Sequence, residues 1–514
     1  MKRFEYVVFD LYAEIYYNDR YNSIKRLKHM KRLICIILVL SSLTFIPAAA
    51  AETDSMLDVI NTITKWENTA DSNTDIITND VISNTGTNIY DWFAFSSGRL
   101  GADNTEKYDI WKNTLADTLN NDNSFSVPDY ERLALCCAAC GSDIAENELL
   151  QKAVFDNFTK ADLSKKIVNQ LIYALLTLDS HCYKIPESVD LSRYDLICEI
   201  LSRQRDNGAL WMMNENTSET DLTAMMITAL SPYANGGELF TYTQNNVEKS
   251  VTIREAIEKA LEYLSTAQSD DGTMINWGSS SCETTAQTII ALTTYGIDIE
   301  KDSRFIKNGN TLFDGMTTYR LDNGAFAHSF DGAGNADGYA TTQALYTCIA
   351  LLRNKNGYRD LFDMQKEFSP EQNKTIRSIT ENIDSISTPD NAEIKNILDD
   401  CCNLSVCDRR YIKNFSKLED ILKEYNIENT AAYTAEELGI NMTYECTVTN
   451  ITSPLVLSEE SLEALNDNYS KLEASSQSIP QNAKKQNPYT AFACICGITA
   501  AAVLVFNRKK RSVK

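Results

Sequence analysis

From about residue 55 to 355 the apolar positions alternate between two styles of helix. One style is apolar over most of its circumference and opens near an acid. Its clearest copies are Asp221 to Leu230, Glu283 to Leu292 and Asp337 to Tyr346. Weaker copies run from Asp129 to Ala138, from Val168 to Thr177, and from Asp91 to a stop at Gly101. The acid suits a helix N-terminus, and an apolar surface on every side predicts burial. Ahead of each copy lies an amphipathic stretch: Met56 to Trp66, Tyr108 to Leu119, Glu148 to Phe158, Tyr194 to Gln204, Ile253 to Gln268 and Ser303 to Tyr319. The helical period is plain in Ile253, Ile257, Ala260, Leu261 and Leu264. Repeated pairs of this kind bury their apolar members together inside the amphipathic ones. The expected fold is therefore all-α, an α/α toroid of about six helical hairpins over residues 52–358.

The pattern changes after the ring. Ile376, Ile379 and Ile383, then Ile394, Ile397 and Leu398, then Leu418, Ile421 and Leu422 mark three amphipathic helices within 369–428, enough for a small bundle. Residues 429–470 are less regular; Met442 to Leu457 alternates apolar and polar residues and is consistent with some β-structure. A polar linker occupies 471–488.

Both ends read as targeting segments. Lys25, Arg26, Lys28, Lys31 and Arg32 precede an apolar run from Leu33 to Ile46 and an alanine-rich site ending at Ala51, the layout of a secretory signal peptide over 1–51. Met30 opens a more typical signal than Met1, which points to a mis-assigned start. At the other end, 489–507 is uncharged and apolar, and 508–514 carries Arg508, Lys509, Lys510 and Arg511. That is the pattern of a single transmembrane helix with a cytoplasmic basic tail, leaving the body outside the cell.

Charge sharpens this division. The 514-residue chain has 48 basic and 71 acidic side chains, a net −23, but its two ends hold much of the basic content and leave the body near −32. A body so acidic, with no basic run, is not a nucleic-acid partner. Of 14 cysteines, three lie in the terminal apolar segments, and many of the rest sit among alanines as small buried hydrophobes. Cys137 and Cys140 have the spacing of half a zinc site, but no second pair closes it, so no metal is expected.

The turns carry a second signature. Gln204, Gly208 and Trp211 recur as Gln268, Gly272 and Trp277, and in part as Gly324 and Phe326. A Gln, a spaced Gly and an aromatic residue after an amphipathic helix resemble the QW motif of squalene and hopene cyclases. The chain thus resembles the terpenoid cyclase and protein prenyltransferase superfamily over about residues 55–355. The same ring occurs in cobalamin carriers of the intrinsic-factor type. The 369–428 bundle resembles the stalk modules of Gram-positive surface proteins, with Tyr411 to Asn414 at the turn those modules share, and Asn487-Pro488-Tyr489-Thr490-Ala491 resembles a cell-wall sorting signal.

The resemblance implies chemistries that the residues do not supply. The Asp-x-Asp-Asp acid of the cyclases is absent, since Asp270 and Asp271 belong to a QW-like turn. The Asp, Cys and His zinc ligands of the prenyltransferases are not matched by Cys282, Glu283, His328 and Asp337, and no basic diphosphate pocket accompanies them. Catalytic residues therefore stay unassigned, and the first reading is a surface-anchored binding or adhesion protein. A corrinoid binder is one alternative, and a prenyltransferase-like, terpene cyclase-like or polysaccharide lyase enzyme is another. A toroid would gather the inner-helix N-termini and aromatic turns at one mouth, placing Trp211, Asp221, Trp277, Glu283, Phe326, His328, Asp337 and Tyr339 close together for a small molecule, glycan or peptide. The competing assignment has the acids cap helices and the aromatics pack the rim.

Overall fold

The computed structural model describes residues 56–68, 76–101, 105–121, 124–142, 148–212, 215–329, 334–386 and 391–439. The expected signal peptide, linker, sorting motif and transmembrane helix lie outside these residues, as does the irregular stretch from 440 to 470. No described helix is long and apolar enough to cross a membrane.

The chain is mostly helical. Its helices, in order, are α1 (Met56–Glu67), α2 (Asn79–Ser83), α3 (Asn88–Leu100), α4 (Thr105–Asn121), α5 (Val127–Ala139), α6 (Val168–Ser180), α7 (Arg193–Ser202), α8 (Thr220–Leu230), α9 (Ile253–Ala267), α10 (Cys282–Tyr295), α11 (Leu312–Thr317), α12 (Gly338–Lys355), α13 (Pro370–Ser385), α14 (Asn391–Cys402), α15 (Val406–Arg409) and α16 (Phe415–Glu424). The six apolar repeats are α3, α5, α6, α8, α10 and α12. Each packs on the next, and α12 returns to α3, so the six form a closed ring. The amphipathic α1, α7, α9 and α11 lie against its outside. One apolar core runs through all of these helices.

The QW-like turns lock neighbouring repeats together. The Gln204 side-chain amide donates to Gly208 O at 3.0 Å and to Ala256 O of α9 at 2.8 Å. Gln268 likewise donates to Gly272 O at 3.4 Å and to Phe305 O at 3.0 Å. Gly208 has φ +90°, and a Cβ there would stand 2.0 Å from Lys259 O of α9, so the turn needs glycine both for its left-handed backbone and for the approach. At the third turn the Gly324 Cβ position faces Thr62 O of α1. Arg320 beside it pairs with Asp58 at 2.8 Å and donates to Thr62 Oγ1 at 2.9 Å. The last repeat thus closes on the first.

Three parts differ from the sequence expectation. Two antiparallel hairpins interrupt the helices: β1 (Leu239–Gln244) with β2 (Val247–Thr252), and β3 (Met274–Asn276) with β4 (Ser279–Ser281). Each turns on two left-handed residues, Asn245–Asn246 and Trp277–Gly278, the geometry that two-residue hairpins require. The helix expected at 148–158 is shorter, helical over 149–155 with the π-helical Gln151–Phe155 as most of it. The one expected at 303–319 breaks at the left-handed Asn308 and Gly309, leaving a 3-10 turn and the short α11.

The 369–428 bundle has its own core, built from residues such as Ile379, Ile383, Ile397, Leu418 and Leu422. It is not, however, a spacer standing clear of the ring. Arg359 pairs with Asp363 at 3.1 Å and Asp408 at 2.8 Å, Arg410 pairs with Asp363, and Lys413 pairs with Asp360 at 3.0 Å. Lys413 also reaches Thr294 O at the end of α10, and Asn235 donates to Arg409 O and Ile412 O at 3.1 and 3.2 Å. The bundle therefore covers the end of the ring where inner helices such as α8 and α10 finish. Buried arginines in fixed geometry hold it there, an arrangement that amphipathic patterning does not reveal.

Candidate functional site

The opposite end of the ring carries the inner-helix N-termini. Along its wall, accessible residues interrupt the buried helices: Tyr173 on α6, Asp221 and Met225 on α8, Glu283 on α10, and Tyr339 and Gln343 on α12. All of them lie within the first six positions of their helices, so they mark the face of the ring opposite the bundle, the mouth of the expected site.

Asp221 stands at the first turn of α8. Its Oδ1 accepts from Leu222 N at 2.9 Å and from the Asn276 amide at 3.1 Å. Asn276 also accepts from Thr220 N at 3.2 Å, which fixes the β3–β4 hairpin against this helix. At the hairpin tip Trp277 is 72 % exposed, and its indole donates to the carboxylate of Glu219. Burial raises the pKa of both Glu219 and Asp221. Asp221, Glu219 and Trp277 therefore form one acidic and aromatic corner of the rim.

Glu283, His328 and Asp337 form a second. His328 Nδ1 lies 2.9 and 2.8 Å from the two Glu283 carboxylate oxygens. The hydrogen bond to Glu283 raises the imidazole pKa, while burial raises that of Glu283. Asp337 accepts from Ala340 N at 2.9 Å and caps α12. Tyr339 beside it is exposed.

Two expected members are elsewhere. Phe326 is fully buried, because the aromatic residue of that turn packs into the core beneath α12. Trp211 covers the guanidinium of Arg203 at 4.7 Å, a packing contact in the turn after α7.

The residue that sequence reading missed is Glu131, on α5. It is 1 % exposed, and neither carboxylate oxygen has a hydrogen-bond partner. Burial drives its pKa well above the ordinary value, opposed only in part by Lys166. An unpaired carboxyl in such surroundings keeps its proton. Its field, and more weakly that of Asp221, reaches the phenol of Tyr173, whose own pKa is raised mainly by burial. Tyr173 in turn acts on Tyr346, which Glu283 also affects and which accepts from Gln287 at 3.0 Å. Trp92 completes this aromatic wall, 6.4 Å from Tyr173 and 5.6 Å from Tyr346. Tyr173 thus lies in the field of Glu131 and Asp221, and Tyr346 in that of Glu283. The available signal was an acid at the position where the copies opening at Asp221 and Glu283 hold Thr223 and Thr285.

No group of acids, cysteines and histidines among the described residues could hold a metal. The site's chemistry is a neutral carboxylic acid and less strongly perturbed carboxylates around an aromatic wall, which suits proton transfer to a polar ligand.

No family model matches the chain, and no curated protein matches it. Among solved structures it is similar to an unsaturated glucuronyl hydrolase from Bacillus sp. GL1, described as responsible for the degradation of glycosaminoglycan, at 13% identity and a TM-score of 0.41, over 61% of this chain and 99% of that one. A likeness so loose carries no activity across; the ring rests on the helix contacts themselves.

Proposed function

We propose that this chain is a surface-displayed glycan-degrading protein whose ring mouth hydrolyses a glycosidic bond by acid–base chemistry. The observation that carries the reading is Glu131: a fully buried carboxyl with no hydrogen-bond partner, held neutral near Tyr173, the one part-exposed member of an otherwise buried aromatic wall. Hydrolysis of a glycoside needs one carboxyl that keeps its proton and a second that does not. Glu131 fits the acid, giving its proton to the glycosidic oxygen as the carbon–oxygen bond breaks. Asp221 fits the base: a backbone N–H and the Asn276 amide favour its charged form, and it is less perturbed than Glu131. It would take a proton from the water that attacks the anomeric carbon. Trp277, exposed at the rim, supplies a flat apolar face for a sugar ring.

A second reading, recognition without turnover, is favoured by the rim acids already engaged. Glu283 is paired with His328, and Asp337 caps α12.

Release of reducing ends from a panel of neutral and uronic-acid glycans separates the two. Turnover that Trp277→Ala weakens about tenfold through KM supports the enzyme reading. Binding of a glycan without release of any reducing end supports the second and contradicts the first.

A further inference from the structure

At the covered end of the ring, a cysteine from the ring meets a cysteine from the C-terminal bundle. Cys182 lies just beyond α6 and is fully buried; Cys407 lies on α15 and is nearly so. Their thiols are within hydrogen-bonding reach of each other, although 225 residues separate them in sequence. Residues 363–365 pin both from one side. Met364 N donates to Ser180 O at 2.8 Å, and Gln365 Nε2 donates to Cys182 Sγ at 3.1 Å. Asp363 is held by Arg410 and by the Tyr411 hydroxyl at 2.7 Å, which directly follow the helix that carries Cys407. Cys407 Sγ itself donates to Leu438 O at 3.3 Å and belongs to the apolar core of the ring rather than to that of the bundle.

We propose that Cys182 and Cys407 close a disulfide that fastens the C-terminal bundle to the base of the ring. The chemistry is thiol–disulfide exchange with an external disulfide oxidant such as oxidised glutathione. The Cys407 thiolate attacks one sulfur of the oxidant, forming a mixed disulfide and releasing one thiol. Cys182, losing its proton, then displaces the second thiol, so two thiols are oxidised and one disulfide is reduced. The hydrogen bond between the two sulfurs, aided by the Arg410 guanidinium, favours the thiolate at Cys407, while the same bond and burial keep the proton on Cys182 until the second step. In the finished fold the pair is shielded, so the bond forms as the bundle docks.

The test uses the full chain, refolded with oxidised glutathione and, separately, with a reductant. Peptide mapping without reduction is expected to show a linked pair of fragments containing Cys182 and Cys407. Oxidised wild type should resist proteolytic release of the bundle longer than reduced wild type, and the Cys182→Ala, Cys407→Ala double variant should match the reduced form under both conditions. Recovery of both cysteines as alkylated thiols from the oxidised sample, or of either joined to a different cysteine, would overturn the proposal. So would equal protease resistance of oxidised and reduced wild type.

Discussion

Glu131 is held at a thermodynamic disadvantage, and that disadvantage has a sign. Its folded-state pKa is raised by burial, so between the ordinary glutamate value of about 4.3 and the raised value the folded chain holds a proton that the unfolded chain has lost. Stability should therefore fall with rising pH across that window, by about 1.4 kcal/mol per unit for this one group. Glu131→Gln removes the titration. Urea melts of the variant should show higher stability at pH 7 than wild type and a flatter pH dependence; a variant less stable than wild type at pH 7 would count against a neutral, unpartnered Glu131. A group that costs stability in this way is more readily understood as retained for use than for packing. His328 behaves oppositely. Its pKa is raised by Glu283, so its contribution is complete below about 6.5 and is lost as pH rises through the folded value. Proton NMR titration of His328 should give a pKa above that of free histidine, returning toward it in Glu283→Gln.

At the scale of elements, the ring is legible in the sequence because its two kinds of helix differ in how much of their circumference is apolar. Five of the six inner helices start within three residues of the acid that announces them, at Asp91, Asp129, Asp221, Glu283 and Asp337. The turns are legible too, since Gln204 and Gly208 must occur together to bond the next outer helix. Gly208→Ala should therefore cost about 2 kcal/mol or more, from a strained left-handed residue and a Cβ driven onto Lys259 O, as read by the urea midpoint. What the pattern hides is local: short hairpins whose strands alternate weakly, and turns such as Asn308–Gly309 that cut an amphipathic stretch. The site was half legible. Asp221 and Trp277 stand at one corner and Glu283, His328 and Asp337 at another, with Tyr339 exposed beside Asp337, but Phe326 faces the core, and Glu131 gains its meaning only from the neighbours that ring closure brings to it.

For the whole molecule, the bundle and the ring make a body with one open end and one covered end. Asp363 is the keystone of the covered end. The Arg410 and Arg359 guanidinium groups hold its carboxyl far below the usual range, so its contribution is present above about 3.9 and is lost as pH falls through the folded value. Asp363→Asn leaves two buried arginines short of a partner and should destabilise the chain by about 3–5 kcal/mol. Limited proteolysis should then release residues 370–439 at a rate that wild type reaches only in acid. With that end covered, the opposite face is where the proposed ligand would bind, and the proposed function turns on the buried Glu131 carboxyl. The decisive measurement is turnover of a glycan that the wild-type protein binds, compared with Glu131→Gln. The predicted result is unchanged affinity with release of reducing ends lost by at least a hundredfold, as expected when a general acid is removed; turnover by Glu131→Gln at the wild-type rate would contradict it.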